Sequence, residues 1–161
     1  MRILIVSDSH ARCNFLEKAI LDSYPIDYLI HLGDLEGDEE YIRDISPCPV
    51  AMVAGNNDFF SREEREMILT FDPYRIFITH GHRYNVYSDR DILKQNARLQ
   101  GCDIAMYGHT HVPEIDLEDD VWVLNPGSIA LPRQPGRQPS YMIMEIDASG
   151  KAQFTMHYYE R

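Results

Sequence analysis

The chain has 161 residues, a formal net charge of −11 at pH 7 and a hydrophobic fraction of 44%. This length suits one domain spanning residues 1–161, and the composition is typical of a globular protein rather than a disordered one. The acidic balance argues against long nucleic acid as a partner, because binding a phosphate backbone depends on many Lys and Arg contacts.

The first third of the chain alternates short apolar runs with amphipathic segments. Strands are predicted at Arg2–Val6, Tyr28–Leu32 and Val50–Ala54, and the continuous apolar character of Arg2–Val6 is typical of a strand buried on both faces. Helices are predicted over Phe15–Leu21, from the helical spacing of its apolar residues, and over Glu39–Ile45. This βαβαβ order indicates a parallel sheet with helices packed on it.

The remainder of the chain predicts a hairpin, one helix and then strands alone. Met67–Phe71 and Tyr74–Thr79 flank a Pro-containing turn, which indicates an antiparallel hairpin. Ser88 and Asp91 have the spacing of a capping box that opens a helix through Leu99, and Gly101 fits the position just past its end. Further strands are predicted at Ile104–Tyr107, Glu114–Glu118, Val121–Leu124, Tyr141–Ile146 and Gln153–Tyr158. The pattern suggests two stacked sheets with helices outside.

Five of the apolar runs end in polar motifs that are rich in potential metal ligands. The motifs are Ser7-Asp8-Ser9-His10, Gly33-Asp34, Gly55-Asn56-Asn57-Asp58, His80-Gly81-His82 and Gly108-His109-Thr110-His111. Ligands of open α/β sheets bind outside the carboxyl ends of the strands, so we expect the five motifs to converge on one site. Because residues i and i+2 of an extended chain point to the same side, Asp8 and His10 would enter that site together, as would His109 and His111.

The donor types in these motifs indicate a metal centre. Asp, His and Asn supply oxygen and nitrogen atoms, which suit Mn, Fe, Zn or Ni. Seven candidate ligands exceed the four of a tetrahedral zinc site, whereas two metals that share a bridging carboxylate would use them all. Taken singly, each motif also has an ordinary interpretation as a turn, a helix cap or a buried histidine. The adjacent glycines Gly33, Gly55, Gly81 and Gly108 would let the backbone turn sharply and approach closely beside each ligand.

In this order, the motifs resemble those of the calcineurin-like metallophosphoesterases, and in particular the small YfcE-like phosphodiesterase branch that includes the retromer subunit Vps29. The resemblance runs from Arg2 to about Arg137 and includes the turn Asn125-Pro126-Gly127-Ser128. It implies an α/β fold, a four-layer α-β-β-α sandwich of two stacked mixed sheets with helices outside. It also implies a dinuclear metal-dependent phosphodiesterase with two divalent ions, Mn being expected and Ni, Fe, Zn or Mg being alternatives.

The resemblance also implies a role for each ligand residue. One metal would be held by Asp8, His10 and His111, a second by Asn56, His80 and His109, and Asp34 would bridge the two. A hydroxide between the metals would be the nucleophile that hydrolyses the ester of a small phosphorylated substrate. Asp58 is expected to orient Asn56 or His80 as a hydrogen-bond acceptor behind the ligands.

One position departs from the family pattern. Many relatives carry His after the metal-binding Asn, where it is thought to protonate the leaving group or clamp the phosphate, and this chain has Asn57. An amide can donate a hydrogen bond to a phosphoryl oxygen but is not a general acid near neutral pH. Esters with good leaving groups should therefore be cleaved better, and His82 is the nearest candidate to supply the proton.

Several residues outside the motifs carry weaker signals. Arg133 lies in a polar loop and is a candidate contact for the substrate phosphate, which its guanidinium geometry suits, although a solvated loop is the simpler interpretation. The acidic cluster Glu36–Glu40 is interpreted as a solvated face. His31 is expected to face the packed interior.

Two other functions stay open from the sequence. A non-catalytic, Vps29-like interaction scaffold is favoured by Asn57, whereas the complete ligand set favours an enzyme. A nuclease that acts on short oligonucleotides is the third interpretation, and the acidic charge counts against it. Relatives in this family often form dimers or larger assemblies, so a homo-oligomer is compatible with the sequence.

The sequence also bears on cellular location. No apolar run approaches the ~20 residues of a membrane span, and the N-terminus reaches Asp8 too soon for a secretory signal. We therefore expect a cytoplasmic protein without a membrane partner. The cysteines Cys13, Cys48 and Cys102 are scattered and form no CxxC pair, which disfavours a disulfide framework or a thiolate zinc site.

Overall fold

The computed structural model describes residues 1–160, over which ten strands and three helices alternate. The strands β1 to β10 are, in chain order, Arg2–Val6, Tyr28–His31, Val50–Met52, Glu66–Phe71, Tyr74–Thr79, Ile104–Met106, Pro113–Asp116, Trp122–Pro126, Ser140–Ile146 and Ala152–Tyr158. The helices α1 to α3 are Asn14–Ser23, Glu39–Ile45 and Asp91–Leu99.

The strands form two five-stranded mixed sheets. The first has the order β10-β9-β1-β2-β3, in which β1, β2 and β3 are parallel, β9 pairs antiparallel with β1, and β10 pairs antiparallel with β9. The second has the order β4-β5-β6-β8-β7, in which β5, β6 and β8 are parallel and the edge strands β4 and β7 run antiparallel to them. These pairings confirm two predictions, the antiparallel hairpin of β4 and β5 and the parallel pairing of the first three strands.

Three apolar clusters separate the layers. Side chains on the inner faces of both sheets, Ile5 among them, form the cluster between the sheets. Leu4, which points to the opposite side of β1, packs with Leu16 of α1 in the cluster that covers the first sheet. Leu93 of α3 packs with Phe77 against the second sheet. The chain is therefore the expected four-layer α-β-β-α sandwich, with both sheets buried between helices.

Several predicted strands end earlier than their apolar character indicated. β2 ends at His31, β3 at Met52 and β6 at Met106, whereas apolar residues continue for one or two positions in each case. Apolar residues such as Leu32 and Val53 stay fully buried beyond the last ladder pair, so burial alone did not mark where the pairing stops. The polar motifs therefore lie on loops that leave the sheets while still packed against them.

The start of α3 differs from the predicted capping box. The residue at the cap is Arg90, without a side-chain cap, and the Ser88 hydroxyl donates to Asn85 Oδ1 instead. The first-turn amide of Asp91 is satisfied by Asp89 Oδ1 at 3.0 Å, a local turn that competes with the box. At the other end, Gly101 has a φ of +66° and donates to the Arg98 carbonyl, as expected for a residue just past the helix.

The C-terminal strands return to the first sheet rather than forming a separate β unit. β9 pairs with β1, and β10 pairs with β9, while β7 and β8 extend the second sheet. Tyr159 then packs under α1, where its ring stacks on Phe15 at 5.3 Å and its hydroxyl donates to Asp22 Oδ2 at 2.8 Å. Within residues 1–160 no helix has both the length and the apolar character to cross a bilayer.

The helix α3 offers a matched pair of substitutions that tests its packing. Leu93 is fully buried against the second sheet, whereas Leu99 of the same helix is 80% exposed. We expect Leu93→Ala to lower the free energy of unfolding by about 2–5 kcal/mol, because it leaves a cavity. Leu99→Ala should change it by less than about 0.5 kcal/mol. Urea denaturation measures both, and equal effects of the two substitutions would contradict the layer assignment of α3.

Candidate metal centre

The five polar motifs meet at one end of the two sheets, just past the carboxyl ends of β1, β2, β3, β5 and β6. Asp8, His10, Asp34 and His111 offer one ligand atom each, and these four atoms all lie within 4.8 Å of one another. The group combines residues that are 103 positions apart in the chain, 111 − 8, so it is a product of the tertiary structure. Such a cluster of carboxylate and imidazole donors is a candidate metal-binding site.

A second group of donors adjoins the first. His80 Nε2 lies 3.1 Å from Asn56 Oδ1, and the His80 and His109 rings are 5.1 Å apart. Asp34 connects the groups, because its Oδ2 atom lies 3.8 Å from His10 Nε2 and 3.5 Å from His80 Nε2. The structure therefore brings all seven predicted ligands together, with Asp34 between the two sets.

The backbone that carries the ligands is left-handed rather than extended. Five of the seven residues have positive φ, and their values are 55° at Asp8, 48° at His10, 56° at Asp34, 66° at His109 and 59° at His111. Residues other than glycine adopt this region rarely, and such residues concentrate at functional sites. The predicted pairs do enter one site together, but the reason given from extended-chain geometry was wrong.

Two glycines make room for the carboxylates. A Cβ atom on Gly55 would lie 2.1 Å from Asp34 Oδ1, and one on Gly108 would lie 1.9 Å from Ser7 Oγ and 2.9 Å from Asp8 Oδ2. Real Cβ atoms do not approach other atoms so closely, so any side chain at either position would displace an acidic residue of the cluster. The predicted close approach of glycine backbone beside the ligands is confirmed at these positions.

Three of the imidazoles are held by their Nδ1 atoms. His80 Nδ1 donates to the Leu32 carbonyl at 2.7 Å, and His111 Nδ1 donates to the Leu131 carbonyl at 2.6 Å. His10 Nδ1 lies 2.6 Å from Glu36 Oε1. A carbonyl or carboxylate can only accept, so the hydrogen of a neutral ring is on Nδ1 and the Nε2 lone pair faces the cluster. This is the arrangement of histidines that bind metals through Nε2.

The contacts at the centre of the cluster are between acceptors. Asp8 Oδ1 is buried without a hydrogen-bond partner among the described residues, and it lies 3.1 Å from His111 Nε2. The Nε2 atoms of His10 and His111 are 3.3 Å apart. Lone pairs this close repel unless a proton or a cation lies between them. The residues present therefore fit divalent cations, which would accept electron pairs from each of these atoms at once.

The acid–base properties of the cluster show the same demand for positive charge. Burial raises the pKa of Asp8, but the 3.1 Å contact with His111 and the positive charges that His80 and His111 carry when protonated outweigh burial and lower the pKa below its ordinary value. Burial likewise lowers the pKa of His80, and Asp34 and Asp8 outweigh it and raise the pKa. Because protons and metal ions compete for the same electron pairs, metal affinity should fall as the pH falls.

The remaining atoms of Asp8 are held by its surroundings. Its Oδ2 accepts hydrogen bonds from Ser7 Oγ at 2.6 Å and from the His109 amide at 3.1 Å. Its carbonyl accepts from Ser128 Oγ at 2.8 Å, within the Asn125-Pro126-Gly127-Ser128 turn. That turn therefore borders the site. These bonds leave Oδ1 as the oxygen directed into the cluster.

Two acidic residues make contacts that the sequence did not predict. Asp58 was expected to orient Asn56 or His80, but its two oxygens accept from the backbone amides of Glu36 at 2.6 Å and Gly55 at 2.7 Å. It therefore joins two loops, because both of its oxygens are used by backbone donors. Glu36 is exposed, in agreement with its interpretation as part of a solvated face, but it also contacts His10 Nδ1. The only local signal was its position two residues after Asp34.

Asn57 contacts the predicted bridging residue. Its side-chain amide donates to Asp34 Oδ2 at 2.7 Å, and its backbone amide donates to Asp34 Oδ1 at 3.0 Å. Burial raises the pKa of Asp34, but the contact with His80 and the charge of that ring when protonated, followed by the two bonds from Asn57, outweigh burial and lower the pKa. Asn57 therefore helps to keep this carboxylate ionised and fixed.

His82 and Arg133 lie at the edge of the cluster. Burial, followed by the charges of His80 and His109, lowers the pKa of His82 to about 4, so its ring is neutral at pH 7. A neutral imidazole donates a hydrogen bond readily but does not release a proton near neutral pH, so this pKa does not favour the proton-donor role, which stays a prediction. Arg133 is exposed and donates from Nη1 to the Tyr87 hydroxyl at 2.6 Å, which in turn donates to the His109 carbonyl at 3.1 Å.

Comparison with known proteins agrees with this geometry. The profile of the calcineurin-like phosphoesterase superfamily domain matches residues 1–149. The probable metallophosphoesterase YsnB of Bacillus subtilis is 33% identical over 150 residues, which cover 91% of this chain and 85% of that protein. A phosphodiesterase of Methanocaldococcus jannaschii is 29% identical over 145 residues, covering 79% of this chain and 83% of that protein.

Among solved structures, the chain is similar to Vps29 of Entamoeba histolytica in complex with Zn²⁺. The TM-score is 0.78 at 25% sequence identity, and the alignment covers 98% of this chain and 99% of that one. The alignment therefore spans nearly the full length of both chains.

The close approach of Gly108 to Asp8 can be tested by adding one carbon. We expect Gly108→Ala to weaken Mn²⁺ binding by about 10-fold or more, because its Cβ displaces Ser7 and Asp8. Gly136→Ala is the control, since its Cβ would have no neighbour closer than 3.9 Å and only its φ of +83° opposes the change. Isothermal titration calorimetry measures the affinity, and an unchanged affinity in Gly108→Ala would contradict the steric role of this glycine.

His31 predicts a pH dependence of stability. Its ring is fully buried, Nδ1 accepts from the Gly33 amide at 3.2 Å, and Nε2 lies 3.0 Å from Ser9 Oγ. Burial lowers the pKa of His31 to about 4 from its ordinary value of 6.5. Between pH 6.5 and about pH 4, His31 therefore binds a proton in the unfolded chain but not in the folded chain. The stabilising contribution is complete above pH 6.5 and is lost as the pH falls toward 4.

The expected loss is about 1.4 kcal/mol of unfolding free energy per pH unit in that window. Urea denaturation of metal-free protein between pH 7.5 and pH 4.5 would measure it. A His31→Asn variant starts from a lower stability, because its hydrogen bonds change, but its pH slope should be smaller by the contribution of one histidine. An identical slope in the variant would show that other groups cause the loss.

Proposed function

The chain belongs to the calcineurin-like phosphoesterase superfamily, and we propose that it is a phosphodiesterase that cleaves a small molecule at a centre of two divalent metal ions. The observation that carries this proposal is the arrangement of His10, His80 and His111. Each holds its Nδ1 atom against a fixed acceptor and directs Nε2 toward the buried carboxylates. That arrangement supports metal binding, because without a cation the lone pairs of these nitrogen and oxygen atoms would face and repel one another.

The proposed ligand sets follow the two groups of donors. One ion would be held by Asp8, His10 and His111, the other by Asn56, His80 and His109, with Asp34 shared between them. Two such ions supply an activated water as the nucleophile and offset the charge that develops on the phosphoryl group. We propose Mn as the metal, with Ni, Fe, Zn or Mg as alternatives, since oxygen and imidazole donors accept several divalent ions.

The chain's own residues around the cluster would orient the substrate. His82 is half-buried and its Nδ1 has no hydrogen-bond partner among the described residues. We propose that this neutral ring donates a hydrogen bond to a phosphoryl oxygen. The guanidinium of Arg133 donates to the Tyr87 hydroxyl, which in turn donates to the His109 carbonyl. At this position beside the cluster it would attract the anionic substrate. Neither group is an acid at pH 7, so substrates with good leaving groups would react fastest.

A diester is favoured over a monoester by charge as well as by similarity. A phosphodiester carries one negative charge, whereas a monoester approaches two at neutral pH, and the chain itself carries −11. The phosphodiesterase of Methanocaldococcus jannaschii supports the same preference. The net charge also opposes a nuclease function on long substrates. The similarity to Vps29 keeps a non-catalytic scaffold as the competing interpretation, to be decided by activity.

Metal-dependent turnover is the direct test. Metal-stripped protein should be inactive toward bis(4-nitrophenyl) phosphate, and Mn²⁺ should restore activity. Asp34→Asn should reduce turnover by about 100-fold or more and also reduce the amount of Mn²⁺ bound, because it removes the shared negative ligand. Asp44→Asn is the matched control, since Asp44 is an exposed residue of α2, and it should behave like the wild type.

The metal content and the activity together separate the alternatives. Binding of two Mn²⁺ ions per chain with turnover supports the proposed enzyme. Binding without turnover, when Mn²⁺, Ni²⁺, Zn²⁺ and Fe²⁺ have each been supplied, would favour the scaffold. Absence of binding would contradict the metal centre itself.

A further inference from the structure

The loop that follows Asn57 carries two adjacent phenylalanines in solvent. Phe59 is 78% exposed and Phe60 is 99% exposed. Single exposed apolar residues are normal on a protein surface, but two adjacent residues with largely exposed aromatic rings make a local apolar patch. This patch has no role in the packing of the fold, so its chemistry is available to a ligand.

The phenylalanine pair borders a cleft beside the metal centre. The cleft has a volume of about 480 Å³, within the range of small-molecule sites, and its lining includes both rings together with Asn57 and Glu36. Asn57 donates to Asp34 and Glu36 holds His10, so two lining residues contact proposed metal ligands directly. The cleft therefore adjoins the proposed metal centre through Asn57 and Glu36.

The loop is held in place at its base. The Ala54 amide donates to the Glu64 carbonyl at 2.8 Å, which closes the segment between them. Inside the segment, Asp58 accepts from the amides of Gly55 and Glu36 and so joins the loop to the segment of Glu36, which also lines the cleft. A ring that binds to the phenylalanines therefore meets a surface that is already ordered, which reduces the entropy lost on binding.

The charge of the cleft restricts the type of group that it can take. Its described lining residues include the carboxylates of Glu36, Glu39 and Asp58 and no cationic side chain. A second anionic group on the substrate would be repelled, whereas an uncharged planar ring can stack on the phenylalanines at no electrostatic cost. Aryl rings and nucleobases both have planar π faces that can stack on aromatic side chains in this way.

We propose that Phe59 and Phe60 form a specificity subsite for an uncharged aromatic ring on one arm of the phosphodiester substrate. This inference rests on the proposed function and narrows its substrate class to diesters that carry an aryl or nucleobase group. In this proposal the metal centre binds the phosphate, and the phenylalanine pair favours diesters in which one ester arm carries an aromatic ring.

Two symmetric diesters whose leaving groups have matched acidity separate ring binding from leaving-group chemistry. Bis(4-chlorophenyl) phosphate has a ring on each arm, and bis(hexafluoroisopropyl) phosphate has none. With the Mn²⁺-loaded protein, Phe60→Ala and Phe59→Ala should raise KM for the aryl diester by about 5- to 100-fold and leave kcat nearly unchanged. KM for the acyclic diester should not change.

Conservative variants test the requirement for a ring. Phe60→Trp should keep the wild-type KM for the aryl diester, whereas Phe60→Leu should behave like Phe60→Ala. Leu99→Ala, an equally exposed apolar residue at the far end of α3, is the surface control and should have no effect. Equal changes for both diesters, or an unchanged KM for the aryl diester in both alanine variants, would overturn the proposal.

A binding measurement distinguishes failure of this inference from failure of the proposed function. Adenosine and phenol, with ribose as the ring-free control, are titrated into metal-free protein and followed by NMR line broadening. Broadening by the two rings that is lost in Phe60→Ala supports the subsite even in a protein without turnover. Turnover without ring binding overturns the subsite alone. A dimer seen in sedimentation that both alanine variants abolish would identify the patch as a contact between copies and would also overturn it.

Discussion

Two buried carboxylates, Asp8 and Asp34, face imidazole nitrogens that have no hydrogen to give, and the rest of the structure depends on this contact. Burying ionised groups costs free energy unless positive charge compensates them. Here the histidine Nδ1 atoms are committed to fixed acceptors, so the compensation has to come from a cation or from added protons. The cluster is therefore suited to a cation, a charge that the polypeptide does not itself supply.

The fold supplies the two halves of the cluster from different sheets. Asp8, Asp34 and Asn56 follow parallel strands of the first sheet, and the histidines 80, 109 and 111 follow strands of the second. The apolar cluster between the sheets therefore fixes the distance between the two groups of ligands. A loss of packing there would separate the ligands, and a bound metal would in turn hold the sheets together, because binding to the native state adds to its stability.

The loops that carry the ligand cluster are hydrogen-bonded to one another. The Asp8 amide donates to the Gly33 carbonyl at 3.0 Å, and the His10 amide donates to the Asp34 carbonyl at 3.0 Å. These bonds hold the left-handed residues in place, and left-handed backbone in residues other than glycine persists only where its surroundings enforce it. The same network extends through Asp58 to the loop with the exposed phenylalanines. Metal ligands and cleft are thus parts of one hydrogen-bonded loop system.

The sequence by itself determined the order of strands and helices and the position of the polar motifs at strand ends, and the resemblance of those motifs to a known family supplied the seven candidate ligands. Periodicity and residue chemistry are local properties, so they can be recognised without coordinates. The tertiary structure alone decided that Glu36 holds His10, that Asn57 holds Asp34 and that Asp58 binds backbone amides. It also replaced the extended geometry expected at Asp8 and His10 with left-handed turns. These features depend on contacts between loops distant in the chain, and no local pattern encodes which loops will meet.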